Sequence, residues 1–171
     1  DDMLLGISKQ TVNLVKNVLR DHKKEDWAVK YVPHGIDDKK FFPIINDFEF
    51  EAFKERILGE EEMDFVVLHN SRNIRRKNQS DIILAWRTFL DQLPVEQAKK
   101  CLLLMKTEPV FEAGTDLNAV IETICDPEIH KVKIINERFD DRGLNYLYNC
   151  SDAHMFMTDN EGWGLGLTES L

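Results

Sequence analysis

Short apolar runs alternate with amphipathic stretches along most of the chain, and this alternation restricts the fold more than any other feature. Four runs have the length and the large or β-branched residues of strands buried in a parallel sheet: 65–68, 102–105, 132–135 and 155–157. Strands that alternate with helices form βαβ units with right-handed crossovers. We therefore predict an α/β fold, a Rossmann-like open parallel sheet with helices on both faces.

The segments between these runs have helical patterns. The apolar residues of 82–93 are spaced by four, three and four positions, which places them on one helical face, with Ser80 or Asp81 as the expected cap. The segments 117–124 and 144–148 have the same pattern. Because each predicted helix lies between two predicted strands, the strand ends define where a ligand would bind.

Glu161 and Glu169 enclose a glycine-rich segment, with glycines at positions 162, 164 and 166. Alternating glycines let the backbone approach a ligand and can open a helix whose first N–H groups face that ligand. Two carboxylates directed at one pocket suit a ligand rich in hydroxyl groups. The alternative is a tight turn with solvated acids, which short glycine motifs often represent. The glycine spacing fits neither the dinucleotide-binding fingerprint nor a P-loop.

The loop after the first predicted strand is basic, although the chain as a whole is acidic. Arg72, Arg75, Arg76 and Lys77 lie within six positions of one another. A charge run is usually a solvated surface. Here, however, the loop follows a strand and should face the same cleft as the glycine segment. Arginine gives a forked contact and lysine a point charge to a diphosphate, so a phosphorylated ligand is predicted.

Charge and cysteine content exclude other functions. The 22 basic and 31 acidic residues give a net charge of -9, which disfavours nucleic acid as a partner. No apolar run has the length of a membrane span and no signal peptide begins the chain, so a cytoplasmic location is predicted. Cys101, Cys125 and Cys150 are widely separated and the histidines are scattered, which favours reduced thiols and disfavours a metal site.

Three segments carry a resemblance to a known family. They are 31–43, Ser71-Arg72 followed five positions later by Lys77, and 147–169 with its paired glutamates. Together they resemble the nucleotide-binding half of the retaining glycosyltransferases of family 4, the group 1 glycosyl transferases, over nearly the whole chain.

The resemblance implies two regions. It implies that 44–171 is the C-terminal, donor nucleotide-sugar-binding domain of a GT-B fold, truncated at its C-terminal end. The segment 1–43 would be the end of the first, acceptor-binding domain and the interdomain linker. Within it, 8–20 carries Val12, Val15, Val18 and Leu19 on one helical face, and such an exposed stripe would favour self-association.

The resemblance also implies roles for three catalytic residues. Arg72 and Lys77 would bind the diphosphate of the donor and stabilise the charge of the departing nucleotide. Glu161 would bond to hydroxyls of the transferred sugar.

Further residues are implied to bind the donor. Glu169 would hold the ribose diol, and the backbone of Trp163, Gly164 and Leu165 would contact sugar and phosphate. Arg138 corresponds to the place where the base packs, although a solvated loop residue fits its acidic surroundings equally well. Trp163 could also be an anchor of the turn.

The implied activity is transfer of a sugar from a nucleotide-diphosphate sugar to an acceptor with retention of configuration, with no metal or other cofactor. The acceptor, whether carbohydrate, lipid or protein, is not predicted, and the isolated chain is expected to be inactive without an acceptor-binding domain. Two alternatives stay open: a non-catalytic nucleotide-sugar-binding module that works with a partner chain, and an unrelated βαβ protein such as a phosphatase or receiver-like switch. The last is disfavoured because no predicted strand ends in a phosphoacceptor aspartate.

Overall fold

Two parallel sheets form the framework of the protein. The computed structural model describes residues 3–19 and 28–171. A small sheet pairs β1 (Leu4–Gly6) with β2 (Val29–Tyr31). The larger sheet has the order β5-β4-β3-β6, and all its pairings are parallel. Its strands are β3 (Phe65–Asn70), β4 (Cys101–Lys106), β5 (Val132–Ile135) and β6 (Ala153–His154).

Helices connect these strands and cover the larger sheet on both faces, as predicted. A single 3-10 turn, Arg75–Lys77, follows β3. The helices are α1 (Lys9–Leu19), α2 (Phe48–Leu58), α3 (Gln79–Leu90), α4 (Val95–Ala98), α5 (Leu117–Ile124), α6 (Asp141–Asn149) and α7 (Leu165–Glu169).

The strand residues alternate between two apolar clusters, one on each face of the sheet. Val67 and Leu103 pack with α3 and α5, whereas Leu68 and Leu104 pack with α2 and α6. This alternation is the two-residue period of an extended strand. Trp86 of α3 is fully buried, and its indole N–H donates to the Lys131 carbonyl over 3.1 Å. The core therefore fixes the carboxyl ends of β3, β4 and β5 side by side.

The fourth predicted strand, 155–157, is wrong in position. The structure has β6 at Ala153–His154, two residues earlier. The N–H of Met155 still bonds to the Leu68 carbonyl over 2.8 Å, but the chain then leaves the sheet. It does so because Thr158 and Asp159 bond to the Arg76 carbonyl, which draws this segment toward the loop after β3.

The predicted cap of the 82–93 helix is also wrong. Helix α3 begins at Gln79, ahead of both Ser80 and Asp81, and the residue before it is Asn78. Asn78 has left-handed backbone angles and makes no side-chain cap. Its amide instead donates to Asp159 over 2.7 Å. A tertiary contact has therefore replaced the local cap that the sequence favoured.

The predicted helix at 8–20 is α1, except that Arg20 lies outside the described residues. Of the four residues predicted to share its apolar face, Val12 is buried and packs against Gly6 of β1. Val18 is 61% exposed. The apolar face is thus only partly covered.

The cysteines are free thiols, as predicted, and Cys101 and Cys150 are buried. Burial raises the pKa of Cys150 to about 12. Among the described residues, no helix combines the length and the apolar character that crossing a membrane requires.

Candidate functional site

A cleft of about 590 Å³ lies at the carboxyl ends of β3, β4 and β5. We call it the strand-end cleft. Arg72 lines it from the loop after β3, Lys106 from the end of β4, and Arg138 from the loop after β5. Its size falls in the range of small-molecule pockets, about 300 to 1,000 Å³. Ligands of open parallel sheets bind at this edge.

The loop that carries Arg72 is held against the loop after β4. Asn73, which is 1% exposed, donates through its side-chain amide to the carbonyls of Glu108 and Thr115. Its side-chain oxygen accepts the Thr115 N–H over 3.0 Å. Gly114 packs so closely on Asn73 that an added Cβ would lie 2.2 Å from the Asn73 carbonyl oxygen. The wall of the strand-end cleft is therefore a rigid pair of loops.

The 3-10 turn after this loop directs Lys77 inward. The Lys77 side chain is 10% exposed, and its ammonium group lies 4.8 Å from the centre of the Phe156 ring. The ammonium group donates to a carboxylate oxygen of Glu161. This ion pair joins two segments that are 84 positions apart in the sequence.

Arg76 makes a second connection to the same segment. Its guanidinium donates to the Asn160 carbonyl over 2.6 Å and lies 3.3 Å from Glu161. The hydrogen bond from Lys77 is the main cause that holds the pKa of Glu161 below its ordinary value, with Arg76 adding to it. Glu161 is therefore a carboxylate held between two cations.

The glycine-rich segment turns sharply before α7. Gly164 has a φ of 87°, a left-handed conformation that glycine adopts without strain. Trp163 packs edge-on against His34, with 5.8 Å between ring centres. Leu165 begins α7 and is 45% exposed. Trp163 thus anchors the turn to the segment that follows β2.

Glu169 has a different set of contacts from Glu161. It accepts a hydrogen bond from the Tyr148 hydroxyl over 2.8 Å, and this hydroxyl accepts one from Asn70 over 3.0 Å. Burial, followed by the bond to Glu169, raises the pKa of Tyr148. Glu169 lines a second cavity of about 300 Å³, together with Ile36 and other residues. The structure thus engages the two glutamates with different partners.

The predicted site residues therefore fall into three groups. Lys77 lies against Glu161, Arg72 shares the strand-end cleft with Arg138, and Glu169 is tied to Tyr148. Tyr148 is a further residue at this site, and its position in a helical pattern gave no sign of a contact with the glycine segment.

In residues 3–19 and 28–171, no cluster of three or more His, Cys, Asp or Glu side chains is arranged to hold a metal ion. The carboxylate of Asp159, two positions before Glu161, accepts a hydrogen bond from the Asn78 amide.

Comparison with known proteins gives matches at the level of structure. No family model and no curated protein matches the sequence. A sucrose-phosphate synthase from Thermosynechococcus elongatus matches 97% of this chain and 37% of its own, with a TM-score of 0.64 and 18% identity. WaaG, a glycosyltransferase involved in lipopolysaccharide biosynthesis, matches 98% and 41%, with a TM-score of 0.69 and 18% identity. A structure described as trehalose-6-phosphate from E. coli bound with UDP-2-fluoro glucose matches 99% of this chain and 42% of its own, with a TM-score of 0.68 and 14% identity.

These structures are GT-B glycosyltransferases, and the likeness confirms the predicted Rossmann-like fold. The chain spans between 37% and 42% of the length of these three structures.

Proposed function

We propose that this chain, with its GT-B fold, is the donor-binding part of a retaining glycosyltransferase and binds a nucleotide-diphosphate sugar. The contact between Lys77 and Glu161 carries the proposal. It brings the basic loop after the central strand to the glycine segment, and both lie where open parallel sheets bind ligands. The likeness of fold supports glycosyl transfer as the general activity. The contacts of the described residues support the roles proposed below for individual side chains.

Arg72 and Lys77 would bind the diphosphate of the donor. When the bond between sugar and diphosphate breaks, negative charge accumulates on the departing nucleotide. Cations that are already in position stabilise this charge without reorganisation. Lys77 is fixed by burial, and Arg72 sits on a loop whose neighbour Asn73 is bonded to two carbonyls. Lys77 and the backbone of Arg72 are therefore in position before a donor binds, with Lys77 paired to Glu161 until a diphosphate replaces that carboxylate.

Glu161 and the strand-end cleft would bind the rest of the donor. A diphosphate that engages Lys77 would release Glu161, whose carboxylate could then accept hydrogen bonds from sugar hydroxyls. Arg138 lines the far wall of the cleft and would pack on the base. Glu169 would hold the ribose diol in place of its present bond to Tyr148. The backbone of Trp163, Gly164 and Leu165 would border the sugar and phosphate.

Calorimetry with UDP, GDP and ADP tests the proposal. We expect at least one to bind, and Arg72→Ala with Lys77→Ala to abolish binding, because each charge-assisted hydrogen bond contributes about 1.5 to 3 kcal/mol. The control is Arg75→Ala with Lys100→Ala, which removes the same charge. Arg75 lies in the same loop, whereas Lys100 lies near the amino end of β4 and faces Asp64. Equal affinity in the two double variants would place the phosphate site elsewhere.

A further inference from the structure

Three buried polar side chains and the half-buried Ser71 form a line of hydrogen bonds at the base of the Arg72 loop. We call His69, Ser71, Gln79 and Thr107 the polar bridge. His69, Gln79 and Thr107 are 0%, 3% and 5% exposed. Together they connect the end of β3, the start of α3 and the residue that follows β4. Buried polar groups are costly unless they are hydrogen-bonded, so these bonds have a defined geometry.

In the first half of the polar bridge, the donor and the acceptor of each hydrogen bond can be assigned. His69 Nδ1 lies 3.0 Å from the Met155 carbonyl, which can only accept a hydrogen bond. Nδ1 therefore carries the proton, and Nε2 accepts from the Ser71 hydroxyl over 2.8 Å. Burial lowers the pKa of His69 to about 4, so the ring is neutral near pH 7. The Ser71 oxygen is left to accept from Gln79 Nε2 over 3.1 Å.

Gln79 is the centre of the second half. Its Nε2 lies 2.9 Å from the Arg72 carbonyl and 3.2 Å from the Ser71 carbonyl. Because both carbonyls can only accept hydrogen bonds, they fix the orientation of the amide. The Thr107 hydroxyl oxygen lies 3.0 Å from Nε2 and 3.1 Å from Oε1, and its O–H donates to Oε1. The backbone carbonyl of Arg72 is consequently turned toward the protein interior, while the Arg72 side chain is exposed along the strand-end cleft.

We infer that Gln79 is a positioning residue that holds Arg72 in its phosphate-binding orientation. This inference rests on the proposed function and deepens it. Gln79 itself does not line the cleft; it acts through the carbonyls of Ser71 and Arg72, two residues that do. Because the loop between β3 and the 3-10 turn is short, releasing these carbonyls would let the Arg72 side chain sample directions away from the diphosphate.

The first test compares Gln79→Met with Gln92→Met. Methionine keeps the length of glutamine but cannot donate to the two carbonyls. Gln92 follows the same helix and is exposed, and the only hydrogen bond described for its side chain goes to the Thr88 carbonyl. We expect hydrogen–deuterium exchange in the segment 71–78 to rise in Gln79→Met alone, with β3 and β4 unchanged. Equal exchange in both variants would show that Gln79 does not hold the loop.

The second test measures the affinity for the nucleoside diphosphate that binds the wild-type chain best. We expect Gln79→Met to bind at least tenfold more weakly and Gln92→Met to bind as the wild type does. Unchanged affinity in Gln79→Met would overturn the positioning role even if the loop exchanges faster. If the wild-type chain binds no nucleoside diphosphate, the proposed function fails, and the exchange experiment still decides whether Gln79 holds the loop.

Gln79→Glu separates positioning from packing. It has the shape of glutamine, but its side chain can donate to the Arg72 carbonyl only when protonated. At pH 8 we expect Gln79→Glu to bind the nucleoside diphosphate more weakly than the wild type does at the same pH. At pH 5 its affinity should recover toward that of the wild type. Circular dichroism should show the same fold at both pH values. A ratio to wild type that does not change with pH would contradict the inference.

Discussion

At the scale of single residues, Glu161 has the most consequential surroundings. Its carboxylate is bonded to Lys77 and lies 3.3 Å from Arg76, so one negative charge already offsets part of the positive charge of these two cations before a ligand arrives. An incoming diphosphate must compete with this internal anion. Glu161 therefore affects phosphate binding as well as any contact with a sugar.

Glu161→Gln should separate these two effects. We expect a bare nucleoside diphosphate to bind severalfold more tightly, because Lys77 no longer loses an ion pair when the phosphate binds. The corresponding nucleotide sugar should gain less or bind more weakly, because the amide is a poorer acceptor for sugar hydroxyls. Calorimetry with both ligands measures the difference, and Glu61→Gln, whose carboxylate pairs with Lys131 away from the strand-end cleft, is the control. Weaker binding of the bare diphosphate would contradict the competition.

His69 should make the stability of the protein depend on pH. Burial lowers its pKa to about 4 from an ordinary 6.5. The unfolded chain then binds more protons than the folded chain in this interval, so stability is complete above pH 6.5 and falls as the pH drops toward 4. The loss at pH 4 is about 3 kcal/mol. Urea unfolding of His69→Gln should show a smaller loss than the wild type, whereas His34→Gln, an exposed histidine, should not. Equal slopes in all three proteins would show that His69 does not cause the loss.

At the scale of elements, the loop after β3 and the loop after β4 form one unit. Asn73 is bonded to Glu108 and Thr115, and Gly114 packs directly on its backbone. Gly114 approaches the backbone oxygen of Asn73 as closely as its side-chain oxygen, so a change of the Asn73 rotamer alone cannot make room there. The position of Arg72 thus depends on a glycine more than forty positions later in the chain.

Gly114→Ala should destabilise the protein by about 1 to 3 kcal/mol, the usual cost of an overpacked site. Its added Cβ would lie 2.2 Å from the Asn73 carbonyl oxygen, which forces the two loops apart. Gly35→Ala is the control, because its Cβ would meet nothing within 4 Å. Thermal unfolding measures both variants. A melting temperature for Gly114→Ala equal to that of Gly35→Ala would show that the loops can adapt.

The elements also show how far the sequence determines the structure. Buried strands such as β3 and β4 could be predicted because their apolar runs reflect burial on both faces. The end of β6 and the start of α3 could not, because Asp159 and Asn78 are set by their contact with each other. The meeting of Lys77 and Glu161 is likewise tertiary: the sequence indicated both residues, but not that they form an ion pair. The bond between Tyr148 and Glu169 had no signal in the sequence.

At the scale of the whole molecule, the two sheets are covered to different degrees. The larger sheet has helices on both faces, whereas β1 and β2 form a parallel pair that α1 contacts. Parallel sheets are normally covered on both faces. Leu5, Leu14 and Val18 are each about 60% exposed in this unit. The small sheet and α1 therefore present exposed apolar side chains that could contact another chain.

We expect the chain to self-associate at high concentration and Leu14→Ser with Val18→Ser to reduce this association. The two side chains lie one helical turn apart on α1, and both are exposed. Leu84→Ser with Val95→Ser removes comparable exposed apolar groups from the helices of the larger sheet and is the control. Sedimentation velocity over a concentration series measures the effect. Equal sedimentation of the two double variants would show that self-association uses another surface.

The pairing of β6 has a consequence for the order of folding. β3 is joined to β4 by six residue pairs, but to β6 by two, and Val67 and its β6 partner Ala153 are 86 positions apart. Closing so long a loop for so few bonds is entropically unfavourable until the rest of the sheet exists. In refolding followed by pulsed amide labelling, Leu103 of β4 should therefore become protected before Met155, whose N–H bonds to the end of β3. The newly folding chain would form its cleft first and attach the glycine segment to it last.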